Sequence, residues 1–327
     1  MRFVTAVLLA AVCFGTTGTA QALGPDASAA SVGAARILIG GGALWLIALV
    51  PILAARRRAA ARAPVAPAAG IATRHPLPSW LVVAIGAAGV LAYQPAFFAG
   101  TAANGVAVGT VVALGSAPVI TGGLDWMLRR RYPGHRWAVA TAIATLGVGI
   151  LAAATGGGGS AGADPLGLAA SLGAGASYAV YTLAAKALLD RGWSASSSMG
   201  ALFGAAAVCS IPVLATTDVS WLATAPGLVM ALWLGLVTTT VAYLLFGYGL
   251  GGLAPATAST LTLAEPLTAG ILGVALLGEA LTGGALLGLV VLAAGIVVLA
   301  TANVGRRPRV SVARGAAVAV PRVGGRG

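Results

Sequence analysis

Charged side chains are scarce in this sequence of 327 residues: they make up 8% of it, whereas 59% of the residues are hydrophobic. A soluble domain carries roughly 25% charged residues, because its surface must be hydrated. This chain cannot cover a soluble surface in that way. Ten apolar stretches of about 20 residues each would use about 200 residues and leave room for short connections. The composition therefore predicts a polytopic membrane protein.

Residues suited to metal binding and catalysis are also few. The two cysteines, Cys13 and Cys209, lie in apolar runs, so their positions indicate neither a disulfide framework nor a zinc site. The glycine run 156–159 lacks the following Gly-Lys-Ser/Thr of a phosphate-binding loop, which leaves ATP-driven transport unsupported. His75 and His135 lack the spacing of a metal site, and no serine lies near an intramembrane histidine. We therefore expect no cofactor, no metal and no enzymatic activity.

Acidic residues are outnumbered, 7 against 19 basic residues, which gives a formal net charge of +12. A nucleic-acid-binding protein would carry such a charge on a solvated domain, and none is visible between the apolar runs. The cations instead cluster after alternate apolar stretches, whereas Asp26, Asp164, Asp218 and Glu279 lie in the opposite connections. Because arginine and lysine are retained on the cytoplasmic side, we expect a bacterial inner-membrane protein with both termini in the cytoplasm. The clustered cations are Arg2, Arg56, Arg57, Arg58, Arg62, Arg74, Arg129, Arg130, Arg131, Arg136, Lys186, Arg191 and the arginines from Arg306 onward.

Apolar stretches bounded by charge, proline or glycine predict ten membrane-spanning helices. A β-barrel would need strands of about ten residues with alternating polarity, and stretches such as 285–300 are apolar on every face. The predicted fold class is therefore an all-α integral membrane protein. The predicted spans are 4–23, 32–53, 80–99, 105–128, 137–154, 166–189, 197–216, 226–250, 254–277 and 283–302.

The first span has a second interpretation. Residues 1–23 also resemble a signal peptide, with Arg2 at the start and Ala20-Gln21-Ala22 as an A-x-A cleavage site. Cleavage would leave nine spans with the same orientation. Retention is favoured because the internal repeat needs span one as the partner of span six.

That internal repeat is found when the sequence is aligned with itself at an offset of 148 residues. Spans four and five then align with spans nine and ten without a gap, so that Pro118 falls on Pro266 and Gly147 on Gly295. Because a unit of five spans ends on the side opposite its start, a second copy inserts upside down. Inverted repeats are typical of transporters, with the substrate path near the midplane. The predicted segments are a first half at 1–155, a glycine-rich external link at 156–165, a second half at 166–304 and a basic, disordered cytoplasmic tail at 305–327.

Several short motifs accompany the repeat. Span two opens with Ala-Ala-Arg-Ile at 34–37, span four contains Ser-Ala-Pro at 116–118, and Glu265-Pro266 precedes Leu-Gly-Glu at 277–279. With the ten-span arrangement, these motifs resemble the EamA family of the drug/metabolite transporter superfamily, over about residues 4–302. The resemblance implies an inner-membrane carrier, often an exporter of amino acids or other small metabolites, with a central cavity between the halves. The sequence departs from the family at Arg131, where the first repeat often has a glutamate.

Glu265 is the one carboxylate predicted to lie deep in a span, about 15 Å from either end. An ionisable residue at such depth is by default a functional hypothesis. A carboxylate in a low-dielectric site suits reversible proton binding or contact with a substrate amine. Alternatively, Glu265 braces the carbonyl and hydroxyl groups around Pro266, in a segment that contains Thr260, Thr262 and Thr268.

Pro118 and Pro266 interrupt the helical hydrogen bonding at matching positions of the two halves. One interpretation is a pair of hinges for alternating access. The other is a pair of static kinks that shape the bundle.

Other polar side chains within the spans are candidates for a substrate cavity. Aromatic rings with hydroxyl groups suit an amphipathic substrate, although tyrosine also anchors at membrane interfaces. Arg36 could meet an anionic substrate group, but snorkelling or pairing with Asp26 is the plainer interpretation. Tryptophans at span ends, such as Trp137 and Trp221, are typical of an interfacial belt. The cavity candidates are Tyr93, Gln94, Asn104, Tyr178, Tyr181, Tyr243 and Tyr248.

The sequence thus predicts a secondary carrier that exports a small polar or amphipathic metabolite by alternating access. Its partners are a small-molecule substrate, the lipid bilayer and protons as a candidate coupling ion. The alternative is a non-transporting sensor or membrane-embedded enzyme on the same scaffold, although no signalling domain or catalytic constellation is visible. A passive channel would need a polar stripe along several helices.

Overall fold

The structure is a computed structural model that describes residues 1–60, 77–130, 132–154, 164–278 and 280–304. Within these ranges it is built from helices, without a strand. Among the described residues, ten helices are long and apolar enough to cross a membrane, in agreement with the ten predicted spans and the all-α membrane fold. They are α1 (Arg2–Ala22), α2 (Ala29–Val50), α3 (Ser79–Gly105), α4 (Val108–Arg129), α5 (His135–Ala154), α6 (Pro165–Asp190), α7 (Ala195–Ala215), α8 (Ala225–Gly252), α9 (Pro255–Leu277) and α10 (Gly283–Thr301).

Several sequence predictions fall outside the described residues. They concern Arg62, Arg74, His75, Arg131, Glu279, most of the glycine-rich link and the basic tail. The first predicted span is described, and it packs into the bundle: Val7, Ala10 and Ala11 of α1 are fully buried.

No loop separates α3 from α4. The backbone is helical from Ser79 to Arg129 except at Gly105, where φ is 80° and ψ is 155°. Glycine adopts a positive φ at little cost, so one residue interrupts the helix where the sequence predicted a short connection.

Two spans of the second half depart from regular α-helix near their middle. In α8, Trp233–Val241 is a π-helix, and the hydroxyl groups of Thr238, Thr239 and Thr240 donate hydrogen bonds to carbonyl oxygens one turn earlier. These hydroxyls satisfy acceptors that the wider π register leaves open. In α9, a 3₁₀ turn at Thr262–Ala264 precedes Glu265. Both irregular segments lie beside the candidate site described below.

Glycine sets the distance between paired helices. In α5 and α10, Gly147 lies against the backbone of Leu292, and Gly295 lies against the backbone of Ala144. Gly288 likewise lies against Leu151, so the residue number falls along α10 as it rises along α5, and the two helices are antiparallel. Small residues at such contacts let the backbones approach closely, which replaces the missing hydrophobic driving force within lipid.

We expect Gly147→Ala to lower the free energy of unfolding by about 1–3 kcal/mol, the usual cost of overpacking. A Cβ at this position would overlap the backbone nitrogen of Leu292, which cannot move without displacing α10. Gly149→Ala, in the same helix, is the matched control because nothing lies within 4 Å of its Cβ position. Unfolding of both purified variants in detergent tests the prediction. Equal stability of the two would show that the α5–α10 contact tolerates a methyl group.

Opposite charges join several spans at one end of the bundle, here called the basic end. Arg129 of α4 forms ion pairs with Asp125, at 2.7 Å, and with Asp190 of α6, at 2.7 Å. Lys186 lies 3.4 Å from Asp190, four residues further along α6, and donates a hydrogen bond to the Leu250 carbonyl of α8. The network therefore links helices from both halves of the chain.

The opposite end, here called the acidic end, is held by neutral hydrogen bonds. Trp221 donates from its indole nitrogen to the Ser31 hydroxyl, which donates to the Asp218 carbonyl. Trp221 is therefore buried and does not belong to an interfacial belt. The belt interpretation is therefore wrong for Trp221. Trp137, near the start of α5 at the basic end, is partly buried, and its indole nitrogen donates to the Ala256 carbonyl at 2.9 Å.

Candidate functional site

Three of the predicted tyrosines meet in the middle of the bundle. The rings of Tyr178 and Tyr181, three residues apart on α6, have centroids 5.0 Å apart. The Tyr181 hydroxyl lies 3.3 Å from the Tyr243 hydroxyl of α8. Phe203 of α7 and Phe14 of α1 extend the group, with centroids 4.0 Å and 5.1 Å from the Tyr243 ring. We call these five side chains the aromatic cluster.

Glu265 lies beside the aromatic cluster, ten residues after the start of α9 and twelve before its end. At 1.5 Å per residue it is about 15 Å from the nearer end of the span. The 3₁₀ turn and Pro266 place it in the first turn of a new helical stretch. Its side chain interacts electrostatically with Arg36 of α2 and with Tyr93, Tyr178 and Tyr243 on three further spans. Partners on four other helices mean that the carboxylate faces the bundle interior.

The carboxylate of Glu265 forms no hydrogen bond or ion pair with any residue that the structure describes, and the residue is only partly buried. Two of the three threonine hydroxyl groups suggested as its bracing partners, those of Thr260 and Thr262, are engaged elsewhere. Thr262 bonds to the Tyr178 hydroxyl, at 2.9 Å, and to the Ser259 carbonyl. The Thr260 hydroxyl donates to the Ala256 carbonyl and also bonds to the Thr141 hydroxyl of α5. The bracing interpretation therefore has little support in this geometry.

Arg36 borders the site, although the sequence favoured snorkelling or pairing with Asp26 over contact with an anionic substrate group. Its Nε donates to the Thr239 hydroxyl at 3.0 Å, and Nη2 donates to the Thr238 carbonyl at 3.4 Å. The side chain therefore points toward the π-helical segment of α8 and not toward the interface or Asp26. Close packing explains the direction, because Gly40, one turn further along α2, lies against Thr239. Because α2 begins at Ala29 and not at the predicted residue 32, Arg36 lies seven residues, or about 10 Å, inside the span.

Tyr93 and Gln94 of α3 border the same region. Tyr93 interacts electrostatically with Glu265, Tyr243 and Arg36, and its ring stacks on Phe97 with centroids 6.0 Å apart. Gln94 is packed so closely against Gly33 that a Cβ there would lie 3.0 Å from the amide oxygen of Gln94. Gln94 therefore packs against α2 about one turn before Arg36.

Two predicted cavity residues lie elsewhere. Asn104 is at the acidic end, where its side chain donates to the Asp164 carbonyl and accepts from the Asp164 backbone N–H at 2.6 Å. This pair of hydrogen bonds holds the start of α6 beside the kink at Gly105, between α3 and α4. Tyr248 lies toward the basic end, with its ring centroid 5.3 Å from that of Phe3.

The two prolines occupy different local structures. Pro118 lies inside a helical stretch of α4, where the Thr121 hydroxyl donates to the Ala117 carbonyl at 2.7 Å. Pro266 instead follows the 3₁₀ turn of α9. Their shared role as hinges stays a prediction.

A separate apolar cavity of about 690 Å³ lies between α1, α8 and α9. It borders the α9 segment beyond Pro266 on the way to the acidic end. None of the charged or tyrosine side chains named above lines it. The lining residues are Thr16, Thr19, Ala20, Leu23, Gly24, Ala225, Pro226, Val229, Met230, Trp233, Leu272 and Leu276.

The mid-bundle site combines one carboxylate, one guanidinium group and several phenol hydroxyls around aromatic rings. The carboxylate can bind a proton or an amine, the guanidinium group can bind an anion, and the rings can contact apolar groups. Within the described residues, no three His, Cys, Asp or Glu side chains are grouped as a metal site would require. The arrangement suits reversible binding of a small, partly polar molecule.

Comparison with known proteins shows what the chain resembles. A profile of the EamA-like transporter family matches residues 165–301. The "Uncharacterized transporter YwfM" of Bacillus subtilis (strain 168) is 37% identical over 299 residues, covering 90% of this chain and 93% of the relative. A solved crystal structure that is 18% identical in sequence has a TM-score of 0.71, with 93% of this chain and 99% of the other covered. At that identity the structural likeness concerns the fold alone.

Proposed function

This chain belongs to the EamA-like transporter family of the drug/metabolite transporter superfamily, and we propose that it is a secondary carrier that exports amino acids or similar small metabolites. It is a multi-pass membrane transporter. The observation that carries the finer proposal is that Glu265 of α9 and Arg36 of α2 lie inside their spans and interact electrostatically without forming an ion pair, with the aromatic cluster beside Glu265. Charges are expensive within a bilayer and are kept where they contact substrates or ions.

The proposed transport cycle is alternating access between two inverted halves, 1–155 and 166–304. Support comes from contacts that obey the 148-residue offset: Gly147 meets Leu292, and the equivalent Gly295 meets Ala144. Support also comes from the neighbours of the first helix in each half, because α1 packs against α8 and α9 as α6 packs against α3 and α4. Two inverted halves related in this way can rock about a site at their interface.

The proposed orientation places the basic end in the cytoplasm of a bacterial cell, in the inner membrane. Arg129, Lys186 and Arg191 lie at that end together, which supports an orientation set by positive charge. In this proposed orientation both termini are cytoplasmic. Export then moves the substrate from the basic end to the acidic end. Glu265 is proposed to bind the coupling proton in exchange for the substrate, since no other carboxylate of the described residues lies at mid-depth.

Counterflow in reconstituted vesicles tests the proposed function. Vesicles preloaded with a mixture of the twenty unlabelled amino acids should accelerate the uptake of at least one radiolabelled amino acid relative to vesicles without protein. A carrier predicts this exchange because one reorienting site serves both directions. Absence of exchange for every amino acid would reject amino-acid export and favour a sensor or enzyme on the same scaffold.

A further inference from the structure

Arg36 has hydrogen-bonding capacity that the protein does not use. A guanidinium group has five N–H donors. Two of them reach Thr239 and the Thr238 carbonyl, and the remaining three have no acceptor in the ranges that the structure describes. The residue is only partly buried, about 10 Å inside its span. A cation held by α8 therefore keeps unused donors and is partly accessible.

The negative charge that balances Arg36, that of Glu265, does not accept hydrogen bonds from the unused N–H donors. Glu265 interacts electrostatically with Arg36, but the two do not form an ion pair among the described residues. Both groups stay partly accessible, and Tyr93 interacts with each of them. Two opposite charges that lie within the spans without forming an ion pair are costly unless a bound molecule satisfies them.

We propose that Arg36 is a specificity-determining residue, whose free N–H donors bind the negatively charged group of the substrate while Glu265 binds its positively charged group. The inference rests on the proposed function, because it assigns Arg36 to the site through which substrate passes. Arginine suits this role since its planar donors match the two oxygens of a carboxylate. Thr239 and the π-helical carbonyl of Thr238 hold the guanidinium in place from α8.

Binding of matched probes to the full-length protein in detergent micelles tests this assignment. Three sets are used, each with a zwitterion, the amine that lacks its carboxylate and the acid that lacks its amine. They are L-alanine, ethylamine and propionate; L-leucine, isoamylamine and isocaproate; L-phenylalanine, phenethylamine and 3-phenylpropionate. Wild type should bind at least one zwitterion about 10- to 100-fold more tightly than the matching amine, the usual worth of a charge-assisted hydrogen bond. In Arg36→Gln this ratio should fall toward one, while the affinity for the amine stays within about threefold.

Two further variants separate recognition from a structural role. Arg36→Lys keeps the positive charge and should keep much of the preference for the zwitterion. Thr239→Val removes the hydroxyl that accepts from Nε but leaves the cation, so its ratio should stay above that of Arg36→Gln. A merely structural Arg36 predicts equal losses for zwitterion and amine, which would overturn the inference. Failure of wild type to prefer any zwitterion would overturn it as well.

Counterflow of the same probes keeps this inference apart from the proposed function. An Arg36-dependent preference in binding, without exchange in vesicles, would support anion recognition and reject transport of these compounds. Exchange in vesicles with a preference that Arg36→Gln leaves unchanged would support the carrier and overturn the role of Arg36.

Discussion

Replacing Glu265 by glutamine should reduce substrate accumulation driven by a pH gradient to the level of protein-free vesicles. Glutamine keeps the size and hydrogen-bonding shape of the side chain but cannot take up or release a proton. No second group takes over, because the other carboxylates of the described residues lie at or near helix ends. Counterflow at equal pH and saturating substrate should persist, since exchange needs reorientation of the site but no net proton movement. The described carboxylates outside the site are Asp26, Asp125, Asp164, Asp190 and Asp218.

Two control variants make the result specific to the mid-bundle carboxylate. Glu265→Asp keeps a titratable group and should retain gradient-driven flux at a reduced rate. Asp218→Asn removes a carboxylate at the acidic end and should leave flux unchanged. Hydrogen bonds from the Ser220 backbone and hydroxyl hold the pKa of Asp218 below its usual range, so this group stays ionised at neutral pH. Undiminished driven flux in Glu265→Gln would remove Glu265 from coupling. Loss of counterflow at saturating substrate in a folded variant would contradict the prediction, because it would show that exchange itself needs the carboxylate.

The number and position of the spans followed from the sequence because the bilayer imposes a strong requirement. Every backbone polar group within lipid must be bonded inside its own segment, so each crossing is an apolar helix of about 20 residues. The boundary that departed most from prediction lies between α3 and α4. There Gly105 interrupts the helix alone, and a hydropathy pattern carries no information about a single backbone torsion.

The direction of individual polar side chains was harder to predict. Depth along a span identified Glu265, Tyr93, Tyr178, Tyr181 and Tyr243, and the structure brings these residues together. Depth alone does not say which way a side chain points, because helix rotation is set by packing against distant residues.

Arg36 and Asn104 show the consequence of that gap. The glycine contact between Gly40 and the π-helical segment turns Arg36 toward α8, about two hundred residues away in sequence. No local pattern encodes the π register that presents Thr239 to α2. Asn104, conversely, was predicted from the sequence to line the cavity, but its side chain bonds to Asp164 at the start of α6.

Replacing Arg129 by glutamine should lower the free energy of unfolding by about 3–5 kcal/mol. Asp125 is nearly buried, with 7% of its side chain exposed, and Arg129 lies 2.7 Å from it. Without that cation a buried carboxylate loses its compensating charge, which costs more than the pair itself contributes. The second pair of Arg129 adds less, about 1 kcal/mol or below, because Asp190 is 42% exposed. Denaturation in mixed micelles of detergent and dodecyl sulfate measures the loss.

The same substitution should loosen the basic end, because Arg129 links α4 of the first half to α6 of the second. Thr182 is fully buried one turn from Tyr178 toward that end, so a cysteine there reports opening. The reporter is Thr182→Cys in a Cys13→Ser, Cys209→Ser background, modified by a water-soluble thiol reagent. Arg129→Gln should raise the rate of this modification about tenfold for each 1.4 kcal/mol by which it destabilises the closed state. An unchanged rate would show that the network stabilises the bundle without closing it.

The double variant Asp125→Asn/Arg129→Gln distinguishes an unpaired buried charge from lost packing. Removing the carboxylate together with its partner leaves no uncompensated charge, so the double variant should be more stable than Arg129→Gln alone. Arg130→Gln is the matched control, because Arg130 is the neighbouring arginine and is exposed. It should unfold like wild type. If the double variant is as unstable as Arg129→Gln, the stem of Arg129 and not its charge holds the basic end together, since both variants lack the arginine but only one retains the buried carboxylate.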